Sequence, residues 1–534
     1  MKEPPHASRT VPRPIQESRR ERNSRRDLIH SLSPRTPSGT EAQAPKITAG
    51  VYDESILCGL GTIAPRNSQY YGISGVTGQK KVLENQSFQQ VACTIVFFLN
   101  LISGKVSSQT GEKLAKAQFH FIDLFAGCGG LALGLEQAGF KPLIFSEINP
   151  SAAHTYLINR PGTEHTWVRD VADLNARSLK RKWMPEWERK GVSDVDLICG
   201  GPPCQGFSGR GHRRSYEIEK ANVPSNFLYR QMVEIIKQVK PKIFLFENVF
   251  GLTFSRWTSR GRKGEIWAEI QEAFQSLPDY VVPRGTVIHA AKYGVPQNRP
   301  RVMIVGVRRD CRWLLRRNRG ALANGFLPEP LFGVRPPDLR DVLDDLIDPD
   351  YLQKGVTLEY PNAPRTKIQR SFREKPDGTI GRKGERLMDQ EYSSHGEHTR
   401  KKFLYMIRHE GRIPDHMKTR KFALRVLPSE WDERGPVVTV TSLPDDFVHF
   451  AQPRIPTVRE WARMQTFPDW YEFRGPRTTG GMRRAGNPAT GDWQRDAPRY
   501  TQIGNAVPVR LAFAIGQHFA RILENRPNKP AIAA

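Results

Sequence analysis

The chain has 534 residues, 38% of them hydrophobic, and a formal net charge of +26 with a pI near 10. That apolar share is enough to bury a sizeable core in at least part of the chain, which excludes a wholly disordered protein, and the length allows about two to four domains. The basic excess is too large for a typical cytosolic enzyme and points to a polyanionic partner such as nucleic acid, a merely basic surface being the bland alternative.

Six cysteines, at 58, 93, 128, 199, 204 and 311, are too scattered for a disulfide scaffold. They form no paired Cys-x-x-Cys, so neither a metal site nor an oxidising compartment is expected, and a cytoplasmic, reduced setting fits them. The longest apolar run, "VACTIVFFLNLI" at 91–102, is too short to span a bilayer and Asn100 interrupts it, so no membrane association is expected. No signal peptide is apparent at the N-terminus.

Residues 1–50, rich in Pro, Ser and Arg, read as a disordered basic arm, and 51–117 carry no motif. From 118 to 309, continuous apolar segments alternate with helix-like ones: "HFIDLF", a helix from 130, "KPLIFSEI", a helix from 150, "DVDLICGG", a helix near 226–238, "PKIFLFENV", a helix near 264–276, and "RVMIVGV". Uninterrupted apolar strands separated by helices predict an α/β, doubly wound, mostly parallel sheet covered on both faces. Residues 310–452 lose that rhythm and read as a smaller, irregular, basic module. From 453 order returns in "TVREWARMQTFPDW", and "YTQIGNAVPVRLAFAIGQHFARIL" reads as a turn followed by an apolar-faced helix, with a tail from 524.

The turn after the first strand, "DLFAGCGGLALG", puts Gly127, Gly129 and Gly130 where a strand becomes a helix, so backbone and helix N-terminus can approach a ligand. Glu147 follows Gly127 by 20 residues at the end of the second strand, placed to accept from ribose hydroxyls. Asp170 is placed to meet an adenine edge, although by itself a helix cap is the simpler role. Such a loop suits a nicotinamide, a flavin or S-adenosylmethionine. In "LICGGPPCQGF", Cys204 follows two prolines at the carboxyl end of a strand, held on a stiff loop, whereas Cys199 inside the strand fits an apolar filler. "IFLFENV" ends on Glu247, a carboxyl group at the ligand edge suited to donate a proton, or else a capping or ion-paired glutamate. In "QNRPRVMIVGV", Arg299 and Arg301 alternate along an extended chain and share one face.

Taken in order, "DLFAGCGG", "GGPPCQGFS", "FENV", "QNRPR", "REWARMQTFPD" and "QIGNAVP" resemble the motifs of the DNA (cytosine-5)-methyltransferase family, over about 118–309 and 453–523. The resemblance implies an S-adenosylmethionine-dependent methyltransferase fold, with 118–309 and 453–523 as the catalytic domain and 310–452 as the target-recognition domain. It implies that Cys204 adds to C6 of a flipped cytosine and that Glu247 protonates N3. The activated C5 then takes the methyl group, and loss of the C5 proton releases Cys204. Arg299 and Arg301 would hold the base, with Arg301 helping to keep Cys204 a thiolate. Phe125, Gly127, Gly129, Gly130, Glu147, Asp170, Pro202 and Asn505 would contact S-adenosyl-L-methionine.

The partner implied is double-stranded DNA, met by a monomer with no obligate protein partner, and the biological setting implied is the modification half of a restriction–modification system, a solitary regulatory DNA methyltransferase being the alternative. The tRNA branch of this fold usually has a different tripeptide after its cysteine, whereas "CQGFSGRG" follows the DNA pattern. Intact Cys204 and Glu247 speak against a noncatalytic DNA-binding homologue. Two departures are evident: Trp461 stands where the family often has a smaller residue, expected to alter local packing only, and a Gly/Arg-rich insertion spans 474–498.

Overall fold

Each apolar segment expected between 118 and 309 forms a strand of one sheet in the computed structural model. The structure describes residues 119–203, 219–311, 314, 323–331, 333–417, 425–432, 440–441, 444–478 and 496–524. The N-terminal arm, residues 51–117 and most of the Gly/Arg-rich insertion therefore lie outside the described residues. Among the described residues no helix is long and apolar enough to cross a membrane.

In chain order the first half runs β1 (Phe119–Leu124), α1 (Gly130–Gln137), β2 (Phe140–Ser146), α2 (Pro150–Ile158), β3 (Trp167–Val168) and β4 (Leu197–Gly200). It continues through α3 (Leu228–Val239), β5 (Ile243–Val249), α4 (Glu265–Gln275), β6 (Tyr280–Val281), β7 (Thr286–His289) and β8 (Pro300–Arg308). The strand order is β3-β2-β1-β4-β5-β8-β6, with β7 also on β8. Side-chain alternation feeds two cores, one on each face: Phe121 and Cys199 enter one, Ile122, Leu124 and Ile198 the other. Cys199 is thus the expected filler, with its Sγ 3.7 Å from the buried Asp123 Oδ1.

The sheet is mostly parallel, as expected, with an antiparallel strand toward one side. The pairings from β3 through β5 are parallel, but β8 runs antiparallel to β5, β6 and β7. The cause is the short β7–β8 connection, which reverses the chain and is too short for a parallel crossover. An apolar strand has the same sequence pattern in either direction, so this reversal was not readable.

The irregular module contains short helices, α5 (Leu339–Leu343), α6 (Lys367–Arg373) and α7 (Glu397–Arg408), and a two-stranded ladder of β9 (Arg425–Val426) and β10 (Phe447–Val448). Helix α8 (Val458–Met464) follows and opens on a reciprocal capping box between Thr457 and Glu460. Buried charge binds this region. Asp345 pairs with Arg373 and Arg463, both at 2.5 Å, and Arg463 pairs with Asp469 at 2.6 Å, all four side chains being at most 2% exposed.

Two helices end the described chain, α9 (Arg499–Asn505) and α10 (Val509–Glu524). "QIGN", expected in a turn, is instead the last turn of α9, and the turn falls on the Ala-Val-Pro that follows. Helix α10 packs along α1. A Cβ on Gly134 would lie 2.5 Å from the Cβ of Ala512, and one on Gly516 would lie 2.8 Å from that of Ala138, so the missing side chains let the two helices touch. Trp461 is fully buried, with its indole N–H donating to Thr441 O at 2.9 Å, a packing role as expected.

Candidate active site at the carboxyl edge

The chain leaves β1 toward β2 and β3 on one side, then crosses to β4 and β5 on the other. The order therefore reverses between β1 and β4, where doubly wound sheets open a crevice. The loop from β1 to α1 sits there. Phe125, Gly127 and Gly129 all have positive φ, 58°, 57° and 82°, a run that only glycine adopts without strain and that Phe125 adopts at a cost. A Cβ on Gly127 would meet nothing within 4 Å, so its face is open, whereas one on Gly130 would lie 2.6 Å from Val507 O. Gly130 thus serves packing against the segment before α10.

Glu147, at the end of β2, anchors this loop. Its Oε2 accepts the Gly127 N–H at 2.9 Å and its Oε1 the Asn149 N–H at 2.7 Å. Burial pushes its carboxyl above the ordinary range, opposed by those backbone donors. Each oxygen keeps a lone pair for a further donor. Asp170 is exposed and caps the short helical turn 171–173, accepting the Ala172 N–H at 2.9 Å. Asn505 is exposed at the end of α9.

On the other side of the crevice, Glu247 lies buried near the end of β5. Arg301 stands diagonally across from it on β8, Glu247 facing Met303 and Val249 facing Arg301, a spacing that long side chains bridge. The Arg301 Nε lies 2.7 Å from Glu247 Oε1, an ion pair off the line of a hydrogen bond, since Oε1 accepts none. Burial raises the Glu247 carboxyl above its usual range, and the nearby guanidiniums of Arg301 and Arg299 oppose that rise without cancelling it. Its other oxygen presses on Gly201, where a Cβ would come within 2.8 Å. Next along β5, Asn248 donates its side-chain N–H to Pro202 O at 3.0 Å, tying the proline loop to the strand that carries Glu247. Cys204 lies outside the described residues, and Pro203 is the last described position before it.

The antiparallel turn of β8 is what brings the arginines here: its amino end, not its carboxyl end, meets the crevice. Arg299 is 2% exposed and its guanidinium faces the chain's own backbone, donating to Val440 O (2.6 Å), Gly504 O (2.5 Å) and Ala506 O (3.1 Å). These hydrogen bonds lace together the module and the α9–α10 turn, while Arg299 Nε, also buried, has no partner among the described residues. Gln297 and Gln465 extend this lacing, with Gln297 Nε2 donating to Gln465 Oε1 at 2.6 Å and Gln465 Nε2 to Ile503 O at 2.7 Å.

The structure thus gathers Phe125, Gly127, Gly129 and Glu147 at one side of the crevice, and Pro202, Glu247 and Arg301 at the other. Asn248, Gly201 and Gln297 were missed as site residues. Asn248 was legible as the neighbour of Glu247; the others act through residues far away in sequence. Among the described residues no group of three or more His, Cys, Asp or Glu side chains is placed to hold a metal.

A sequence profile described as C-5 cytosine-specific DNA methylase matches residues 119–521. Type II methyltransferase M.DdeI of Desulfomicrobium norvegicum is 31% identical over 76% of this chain and 89% of its own length. Type II methyltransferase M.XorII of Xanthomonas oryzae pv. oryzae is 30% identical over 77% and 86%. The fold matches the crystal structure of a prophage-encoded DNA modification methyltransferase of E. coli with a TM-score of 0.51 at 23% identity, covering 76% of this chain and 99% of the other. With its crevice at the strand reversal, its glycine loop and its buried Glu247–Arg301 pair, this chain belongs to the C-5 cytosine-specific DNA methylase family.

Proposed function

We propose that the chain methylates C5 of a cytosine flipped out of a specific duplex DNA site, through a covalent bond between Cys204 and C6, as the modification enzyme of a restriction–modification system. The observation that carries this reading is Glu247: a carboxyl group raised by burial, paired with Arg301 at 2.7 Å and joined through Asn248 to the proline loop that precedes Cys204. A carboxyl that burial makes hold its proton more tightly than an exposed one can keep that proton for a ring nitrogen.

The Cys204 thiolate adds to C6, the electron pair moves onto the ring, and the Glu247 proton goes to N3. Arg301 holds the base and stabilises the thiolate. After methyl transfer, loss of the C5 proton to water breaks the S–C6 bond, and the N3 proton returns to Glu247. A base inside a duplex cannot offer C6 to a thiol, so the cytosine must be extruded, with the basic 310–452 module gripping the duplex.

The glycine loop fits S-adenosyl-L-methionine. The face of Gly127 is open, and Glu147 retains lone pairs for ribose hydroxyls. Asp170 is exposed for the adenine, while Phe125, Pro202 and Asn505 complete the contacts. When bound, S-adenosyl-L-methionine supplies an electrophilic methyl group. Arg299 acts here by holding the module and the α9–α10 turn.

The test is trapping. A duplex carrying 5-fluorocytosine at the recognised site cannot lose its C5 substituent, so the protein should become covalently attached and Cys204→Ser should not. Attachment to fluorinated tRNA but to no DNA would reject the DNA substrate; attachment to neither would reject the covalent mechanism. Bisulfite sequencing of DNA from a heterologous host expressing the chain identifies the site, and a neighbouring endonuclease gene separates a restriction system from a solitary regulator. The names of the relatives, Type II methyltransferases, support the former.

A further inference from the structure

The glycine loop is held from behind as well as in front. Tyr471, fully buried just beyond α8, donates its hydroxyl to Cys128 O at 2.6 Å, across 343 positions of chain. That hydroxyl accepts from Arg160 Nη1 at 3.1 Å, and Arg160 is itself forked onto Glu136 of α1 at 2.7 and 2.6 Å. The loop packs directly on this assembly: a Cβ on Gly129 would lie 2.8 Å from the Tyr471 oxygen and 3.0 Å from Arg160 Nη1. Cys128 O precedes α1 and is outside its hydrogen-bond ladder, and glycine at 129 leaves the intervening peptide free to rotate. The phenol therefore selects one orientation of a peptide that the loop sequence alone does not fix.

The segment that carries Tyr471 is also gripped by the recognition module. Asp469 takes the Tyr360 hydroxyl at 3.0 Å and its N–H donates to Phe372 O at 2.7 Å, while Arg459 Nη2 donates to Tyr471 O at 2.8 Å. We propose that Tyr471 is a positioning residue for S-adenosyl-L-methionine, fixing the Cys128 carbonyl from the segment that anchors the recognition module and so holding the glycine loop in its binding conformation. This rests on the reading of that loop as the cofactor site.

The test measures S-adenosyl-L-methionine binding to the full chain by calorimetry without DNA, alongside steady-state kinetics. Tyr471→Phe keeps the ring and removes only the donor, leaving a buried carbonyl unsatisfied. It should weaken cofactor binding about tenfold and raise the cofactor KM in step, with kcat at saturating cofactor and KM for DNA unchanged. Arg160→Lys, which keeps the charge but cannot fork, should shift cofactor affinity in the same direction by less. A fall in kcat at unchanged cofactor KM would mean a merely structural tyrosine and overturn the proposal. Equal cofactor affinity in wild type and both variants would overturn it too. A wild type that binds no S-adenosyl-L-methionine would instead remove the cofactor reading beneath it.

Discussion

The sheet and the irregular module that follows it are stabilised by different means. Around β1, β4, β5 and β8 the interior is two continuous apolar cores; around Asp345, between 342 and 387, the apolar clusters are small and fully buried arginines and carboxylates stand beside them. Apolar packing is forgiving of small losses because each methylene contributes separately. A buried ion pair is not, because removing one partner strands the other.

The sharpest break of this contrast is Asp345→Ala. It leaves both Arg373 and Arg463 without their shared carboxylate and should cost about 3–5 kcal/mol in chemical denaturation. Replacing Asp345, Arg373, Arg463 and Asp469 together by apolar residues of similar volume should recover most of that loss; no recovery would mean that the charges matter for more than mutual compensation. In the sheet, Ile304→Val, at a position 1% exposed, should cost only about 0.5–1.5 kcal/mol, measured the same way.

The subtlest difference is in pH. Burial would raise the Glu460 carboxyl, but Arg454 at 2.6 Å, with His449 and the capping N–H of Thr457, outweighs it and holds it at about 2, below the ordinary 4.5. A depressed carboxyl binds its proton more weakly when folded, so its stabilisation is present above pH 4.5 and lost as pH falls toward 2. Asp123 in β1 goes the other way. Burial pushes it up to about 7 against the opposing charge of Arg160, so its contribution is lost as pH rises from about 4 through 7. Urea unfolding at pH 3–8 should show Glu460→Gln flattening the acid arm and Asp123→Asn the neutral arm; two slopes of one sign would contradict the comparison.

What was legible follows the same division. Strands of the sheet are apolar runs bounded by turns, and Glu147 and Glu247 stand out as lone acids where such runs end. Direction was hidden: an all-parallel sheet would put Arg301 at the edge opposite Glu247, and only the β7–β8 reversal brings the pair together. The module resisted reading because its interior positions hold Arg, Asp and Gln, which carry no hydrophobic period. The capping role of Asp170, by contrast, was visible from its own neighbourhood. The tie between Tyr471 and Cys128 joins residues whose local sequences say nothing of each other, and the hydrogen bonds of Arg299 to Val440, Gly504 and Ala506 are equally non-local.

The close seating of α10 on α1 reaches beyond packing. Val507 lies by Gly130, Ala512 by Gly134 and Gly516 by Ala138, so the two helices run side by side in the same direction. The far end of α10 therefore comes out at the edge where Phe119 enters β1 beside Gly139. The order in which the motifs follow one another is thus separable from the place each occupies: a circular permutant that runs from α10 through a short linker into β1, with new ends cut elsewhere on the surface, would carry Glu147, Glu247 and Arg301 to the same crevice.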